Sequence, residues 1–134
     1  MAAYLLLPAK DEAESLPWLL ERAREVGLSA VVCDDGSEDG TAEVAEALGA
    51  TVLRHPQNRG LAEALRTLFL WFLEEGRPGD LALTMDADGT MDPGLFPRMR
   101  EALEGGAELV VASRFRGRAE GVPPLRALLS LGAR

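Results

Sequence analysis

Short, wholly apolar runs alternate along this chain with longer stretches whose apolar residues recur every three or four positions. A run with no polar alternates predicts a strand buried on both faces. Ala3–Leu7, closed by Pro8, is such a run; Ala30–Cys33, Thr51–Leu53, Leu81–Met85 and Glu108–Ala112, apolar apart from Thr51, Thr84 and Glu108, read as the further strands. Between them the period changes to that of a helix. Ser15 stands as a cap before Leu16, Leu19, Leu20 and Ala23, and Gly27 ends that helix. Thr41 to Leu48 turns Val44, Ala45 and Leu48 inward and stops at Gly49. Gly60 to Glu75 is the longest helix, with Leu61, Leu65, Leu68 and Phe72 as its buried stripe. Asp92-Pro93 reads as a cap with proline in the first turn, ahead of Leu95, Phe96, Met99 and Leu103, and Gly105 ends the helix. Pro123-Pro124 opens a short last helix, Leu125 to Leu131.

Strand and helix alternating in this way predict the α/β class: a three-layer, Rossmann-like arrangement with a mainly parallel five-stranded sheet between helices. The length suits one domain, residues 1–134. A net charge of −8 argues against a nucleic-acid partner, which needs a basic face. It leaves room for a nucleotide, because a bound cation can neutralise a diphosphate inside an acidic protein. The single cysteine, Cys33, excludes a disulfide framework and fits a cytoplasmic location. The start of the chain lacks a basic n-region, so no signal peptide is expected, and the longest apolar run, Thr67 to Leu73, falls well short of a membrane span.

In a parallel sheet, ligands bind beyond the carboxyl ends of the strands. The unusual polar residues fall there: Pro8-Ala9-Lys10-Asp11-Glu12 after the first strand, Asp34-Asp35-Gly36-Ser37 after the second, Asp86-Ala87-Asp88 after the fourth, and Ser113-Arg114 after the fifth. Four loops thus converge on one edge. Asp86 and Asp88 are hard oxygen donors one residue apart, a pair that suits Mg²⁺ or Mn²⁺. A D-x-D triplet arises readily by chance in an acidic chain, but Asp86 continues an apolar run and starts nearly buried, where an isolated charge is costly. Asp34 can make an Asx-turn, and Asp39 or Thr41 can cap the next helix. Two adjacent acids exceed what a turn needs, so one of them is a candidate acceptor for a nucleobase edge. Arg114 is nearest the strand end among Arg114, Arg116 and Arg118 and is the candidate to face a phosphate. His55 reads as a loop residue and Cys33 as core. No second histidine exists, which excludes a histidine-based metal cluster.

Taken together, Pro8 to Glu12, Val32 to Thr41, Asn58-Arg59-Gly60 with Ala64, and Met85 to Pro93 resemble the family 2 glycosyltransferases of the GT-A fold, over essentially the whole chain. Val110 to Phe115 resembles the polyprenyl-phosphate sugar transferase branch, typified by dolichyl-phosphate mannosyltransferase. The resemblance implies a nucleotide-sugar donor, UDP- or GDP-linked, a lipid-phosphate acceptor, and Mg²⁺ or Mn²⁺ as cofactor. It implies that Pro8, Lys10, Glu12 and Asp35 line the nucleoside pocket, with the backbone near Cys33. It implies that Asp86, with Ala87 beside it, contacts the ribose or a metal-bound water, and that Asp88 ligates the metal. Thr90 stands where the mannosyltransferases present a metal-binding Gln. Arg114, assisted by Arg126, would meet the acceptor phosphate; no catalytic base is nominated. Family members continue beyond the last segment here, so a truncation on the acceptor side is expected. Lys10 replaces a frequent aromatic residue and Asp11 a frequent Asn. A cytoplasmic location at the inner membrane face follows, with peripheral membrane contact through the apolar last segment and homo-oligomerisation both left open. Two alternatives remain: a sugar-nucleotide-binding module without turnover, and a nucleotidyltransferase, which would need a glycine-rich loop that Pro8 to Glu12 lacks.

Overall fold

The computed structural model describes residues 2–104, 110–113 and 125–130, with side chains through residue 102. The elements run β1 (Ala3–Ala9), α1 (Leu16–Glu25), β2 (Ser29–Asp35), α2 (Thr41–Ala47), β3 (Thr51–His55), α3 (Leu61–Glu75), β4 (Leu81–Thr84), a 3-10 turn (Pro93–Leu95), α4 (Phe96–Glu104), β5 (Val110–Ser113) and β6 (Leu125–Ser130). Strand order across the sheet is β3-β2-β1-β4-β6-β5. The first four strands are parallel, as expected. The chain winds outward from β1 to β3, then crosses back over the sheet through α3 to β4 on the other side of β1. That reversal leaves a topological switch point between β1 and β4.

Side-chain alternation sorts the core into two layers. Ala3, Leu5, Leu7 and Ala9 of β1 pack with Leu16, Leu19, Leu20 and Ala23 of α1, Ala45 of α2, and Phe96 and Met99 of α4. Leu6 of β1, with Val31 and Cys33 of β2 and Ala82 of β4, packs instead on Ala64, Leu68 and Phe72 of α3. Each fully buried leucine here contributes about 1.5–3 kcal/mol of transfer free energy. Tyr4 closes this layer at the far end, edge-on to Trp71 at 5.2 Å between ring centroids.

Several expectations are revised. Leu125–Ser130 is a strand, not a helix, and lies antiparallel between β4 and β5. A six-residue segment with four apolar residues satisfies either period, and here the unpaired edge of β4 decides, since its backbone N–H and C=O groups need partners. The sheet therefore has six strands rather than five, with β6 alone running against the others. Leu61, assigned to the buried stripe of α3, is 58% exposed. Ser15 occupies the cap position of α1 but makes no cap bond. Asp92 does cap, accepting from the Gly94 N–H, and Arg22 of α1 grips the same carboxylate with two nitrogens. Leu103 and Gly105 lie outside the residues whose side chains are described.

Candidate functional site

Pro8 extends β1 past its partner. The β1–β4 ladder ends at Leu6 opposite Thr84, while β1 continues beside β2 with Pro8 opposite Cys33. A proline is tolerated there because no strand on the β4 side waits for its missing N–H. The same alternation that sends Leu6 toward α3 sends Pro8 toward α3, along with Cys33 and Asp35 of β2. A cavity of about 260 Å³ opens at this carboxyl edge, lined by Pro8, Ala9 and Lys10, by Asp35, and by Asn58, Gly60, Leu61 and Ala64 at the start of α3. The exposure of Leu61 is thereby explained: it walls a cavity and does not fill the core.

Asp35 is the acceptor in that cavity and is 4% exposed. Its Oδ1 accepts from the Arg59 N–H and from His55 Nδ1, both at 2.8 Å, and its Oδ2 accepts from the Gly60 N–H at 2.8 Å. Burial alone would raise its pKa; the bonds from Arg59, His55 and Gly60 outweigh that and hold it below the usual carboxylate value. Gly60 can present its N–H because its φ of +97° is open to glycine. Asn58 Oδ1 takes a second share of that N–H at 3.0 Å. Gly36, the next residue after Asp35, is needed for a different reason: a Cβ there would lie 2.5 Å from the backbone nitrogen of Asn58. The Asn58-Arg59-Gly60 turn thus rests directly on the end of β2. Asp34 points the other way and accepts from the Ser37 N–H, the turn role foreseen for it.

The loop after β1 is pinned to the loop after β2. Asp11 adopts a φ of +56°, the single positive φ outside glycine among the described residues, in a region Asp and Asn tolerate best. Its N–H donates to Ser37 Oγ and its carboxylate accepts from the Glu38 N–H and from Lys10 Nζ. The Glu12 N–H donates to Thr41 Oγ1, and the Ala13 N–H to Asp39. Thr41 in turn donates to Asp39 through its backbone and hydroxyl, ahead of a cap position occupied by Gly40.

Ser15 joins this assembly to the loop after β4. Its hydroxyl lies 2.6 Å from the Ala87 carbonyl oxygen and 3.1 Å from Glu12 Oε2. A serine freed from capping therefore holds the Asp86-Ala87-Asp88 turn against the first loop. Burial raises the Glu12 pKa, the Ser15 bond opposes it, and the charges of Asp88, Asp39 and Asp11 raise it further. Met85 and Ala87 are buried, Asp86 is half-buried rather than nearly buried, and Asp88 is exposed. Thr90 donates its N–H and its hydroxyl to Asp88 Oδ1, at 3.0 and 2.6 Å. Among the described residues no group of three or more His, Cys, Asp or Glu is placed to hold a metal.

The structure therefore brings together Pro8, Lys10 and Asp35 at one cavity, and links Glu12 to Ala87 and Asp88 beside it. Cys33 is fully buried and does not line the cavity; burial first, then the charges of Asp35 and Asp34, push its thiol up to about 12. Arg114 lies outside the described residues, and Arg126 is placed only by its backbone, opposite Ala112. His55 was misread as a loop residue: it ends β3 in register with Asp35. Two more residues of alternation from Leu53 would have found it.

A mainly parallel α/β sheet with a cavity beyond the carboxyl ends of β1 and β2, and paired acids just past β4, has its candidate site where such sheets bind ligands. The family model Glycosyl transferase family 2 matches residues 4–130, and the chain belongs to that family. The undecaprenyl-phosphate mannosyltransferase of Micrococcus luteus is 37% identical over 121 residues, covering 85% of this chain and 49% of that protein. The dolichol-phosphate mannosyltransferase of Pyrococcus furiosus is 31% identical and covers 99% of this chain and 39% of its own length. The chain thus spans less than half the length of these curated relatives. Among solved structures, glucosyl-3-phosphoglycerate synthase from Mycobacterium tuberculosis, in complex with Mn²⁺, UDP and phosphoglyceric acid, superposes with a TM-score of 0.65 at 28% identity, covering 87% of this chain and 44% of that one. The fold is accordingly that of the GT-A glycosyltransferases.

Proposed function

We propose that residues 1–134 form one nucleotide-sugar-binding domain that serves as the donor half of a metal-dependent glycosyltransferase, with a UDP- or GDP-sugar as donor and a polyprenyl phosphate as acceptor. The observation that carries this reading is the cavity between Pro8, Leu61 and Ala64, which offers apolar walls to a planar base and the Asp35 carboxylate to its N–H edge. Lys10 lines the same cavity and stands where its stem can cover the base. Asp86 and Ala87, held by Ser15, fall at the end of β4, where the ribose and diphosphate of such a ligand would run.

The donor set at Asp86, Asp88 and Thr90 is all oxygen and short of a full protein cage. That fits Mg²⁺ or Mn²⁺, which complete their shells with water and phosphate oxygens. A cation bound at Asp88 would neutralise charge developing on the leaving diphosphate. Thr90 fixes Asp88, and Glu12 adds negative potential nearby. In the reaction a phosphate oxygen of the acceptor bonds to the sugar C1 as the bond from C1 to the nucleoside diphosphate breaks. A phosphate monoester has a second pKa of about 6 and is already anionic at neutral pH, so the step needs no general base from the chain. Arg114 and Arg126 are proposed to orient that phosphate, at the inner face of a membrane. No described helix is long and apolar enough to cross one.

The test is calorimetric titration with UDP and with GDP, with and without Mn²⁺. Asp88→Ala is expected to abolish the metal-dependent part of the affinity. Unchanged metal-dependent binding in that variant would remove the site.

A further inference from the structure

We infer that His55 is a positioning residue that aims the Asp35 carboxylate at the base, acting together with Thr67. The inference rests on the reading of the cavity as a nucleobase site. Three elements meet here: Asp35 ends β2, His55 ends β3 beside it in register, and Thr67 stands nearly two turns into α3. His55 Nδ1 lies 2.8 Å from Asp35 Oδ1, and its Nε2 lies 2.8 Å from Thr67 Oγ1, with Cys33 Sγ at 3.7 Å beneath.

An ionised carboxylate only accepts, so the Nδ1 of His55 carries the proton. In the neutral ring Nε2 is then the acceptor, and the Thr67 hydroxyl donates to it. The relay Thr67–His55–Asp35 is thus polarised in one direction. A carboxylate offers about four acceptor positions. Among the described residues Arg59 and His55 fill those of Oδ1, and Gly60 fills one of Oδ2. One position on Oδ2 is left for a ligand, on a residue that lines the cavity. Two of the three donors are backbone groups. His55 is the side chain that sets the carboxylate plane from the β3 side, and the ligand chemistry selected is an imide-type N–H on the base.

The chain has one histidine, so its ring spectrum belongs to His55 alone. Two-bond ¹H–¹⁵N spectra of the wild-type protein are expected to show the Nδ1–H tautomer. The Nε2–H tautomer would overturn the inference without any variant being made. The binding test uses UDP or GDP, whichever binds more tightly, and the same nucleotide methylated at its ring imide nitrogen. His55→Gln has no donor at the Nδ1 position, whereas the side-chain amide of His55→Asn stands close to it. His55→Gln is expected to weaken the natural nucleotide about tenfold, the factor for one modest hydrogen bond. The methylated nucleotide, already unable to donate, should change by less than about twofold. His55→Asn should restore most of the loss, and Thr67→Val should weaken the natural nucleotide in the same selective manner. Equal losses for both nucleotides, or no loss, would overturn the role of His55 while leaving the base site standing. If the wild type does not distinguish the two nucleotides and Asp35→Asn binds normally, the base site itself falls, and this inference with it.

Discussion

Replacing Gly36 with alanine tests the idea that the end of β2 and the Asn58-Arg59-Gly60 turn form one rigid unit. Two costs add. Gly36 has a φ of +76°, and a Cβ in the left-handed region costs roughly 1–2 kcal/mol. The new methyl would also lie 2.5 Å from the Asn58 nitrogen and 2.7 Å from the Gln57 carbonyl carbon. A comfortable contact is about 3.5 Å, so the backbone of residues 57–58 must retreat by about 1 Å. Overpacking of this kind costs about 1–3 kcal/mol. The expected total is about 2–5 kcal/mol, a large share of the ~5–15 kcal/mol stability of an ordinary domain. Gly27→Ala supplies the control, because Gly27 has a φ of +82° with nothing within 4 Å of the added Cβ. It should lose only that conformational cost, about 1–2 kcal/mol. Urea unfolding of the two variants, read by tryptophan fluorescence, isolates the steric part. Titration with UDP and GDP then shows whether the displaced turn damages the cavity. Gly36→Ala should lose most nucleotide affinity, and Gly27→Ala none. Equal stability and equal binding in the two variants would refute the close approach.

Further outcomes are expected at the linked loops. Ser15→Ala removes the bond to Ala87 and should cost about 1 kcal/mol of stability; it should also weaken Mn²⁺-dependent nucleotide binding, and full metal-dependent affinity would show that this bond does not position the turn. Glu12 has its folded-state pKa raised, first by burial. The folded protein therefore keeps a proton that the unfolded chain releases near pH 4.3, and stability falls as pH rises from there through the folded value. Glu12→Gln should accordingly raise the urea midpoint at pH 7 and leave it unchanged at pH 3, while a less stable variant at pH 7 contradicts the sign. Cys33, fully buried with its thiol pushed up to about 12, should resist iodoacetamide at pH 8 until the protein is unfolded.

Much of this architecture was legible in the chain because the forces that specify it are local. Apolar runs without polar alternates located the first four strands to within a few residues, and the Asp92-Pro93 pair marked a real cap. The polar loops marked the carboxyl edge of the sheet, and there Pro8, Lys10 and Asp35 line one cavity. Partnerships between distant residues were not legible. Ser15 looked like a helix cap, yet its backbone is already helical, with φ −89° and ψ −18°, and its hydroxyl donates instead to the Ala87 carbonyl, brought alongside by the β1–β4 pairing. Leu125–Ser130 carries an apolar pattern that either helix or strand would satisfy, and the open edges of β4 and β5 choose the strand. His55 ends β3 and is reached by continuing the alternation two residues past Leu53, but its meaning comes from the β2–β3 register that sets it opposite Asp35. Periodicity and caps are properties of neighbours in the chain, so composition reveals them. Register and edge pairing are set by backbone hydrogen bonds between segments far apart in sequence, and those exist only once the sheet has formed.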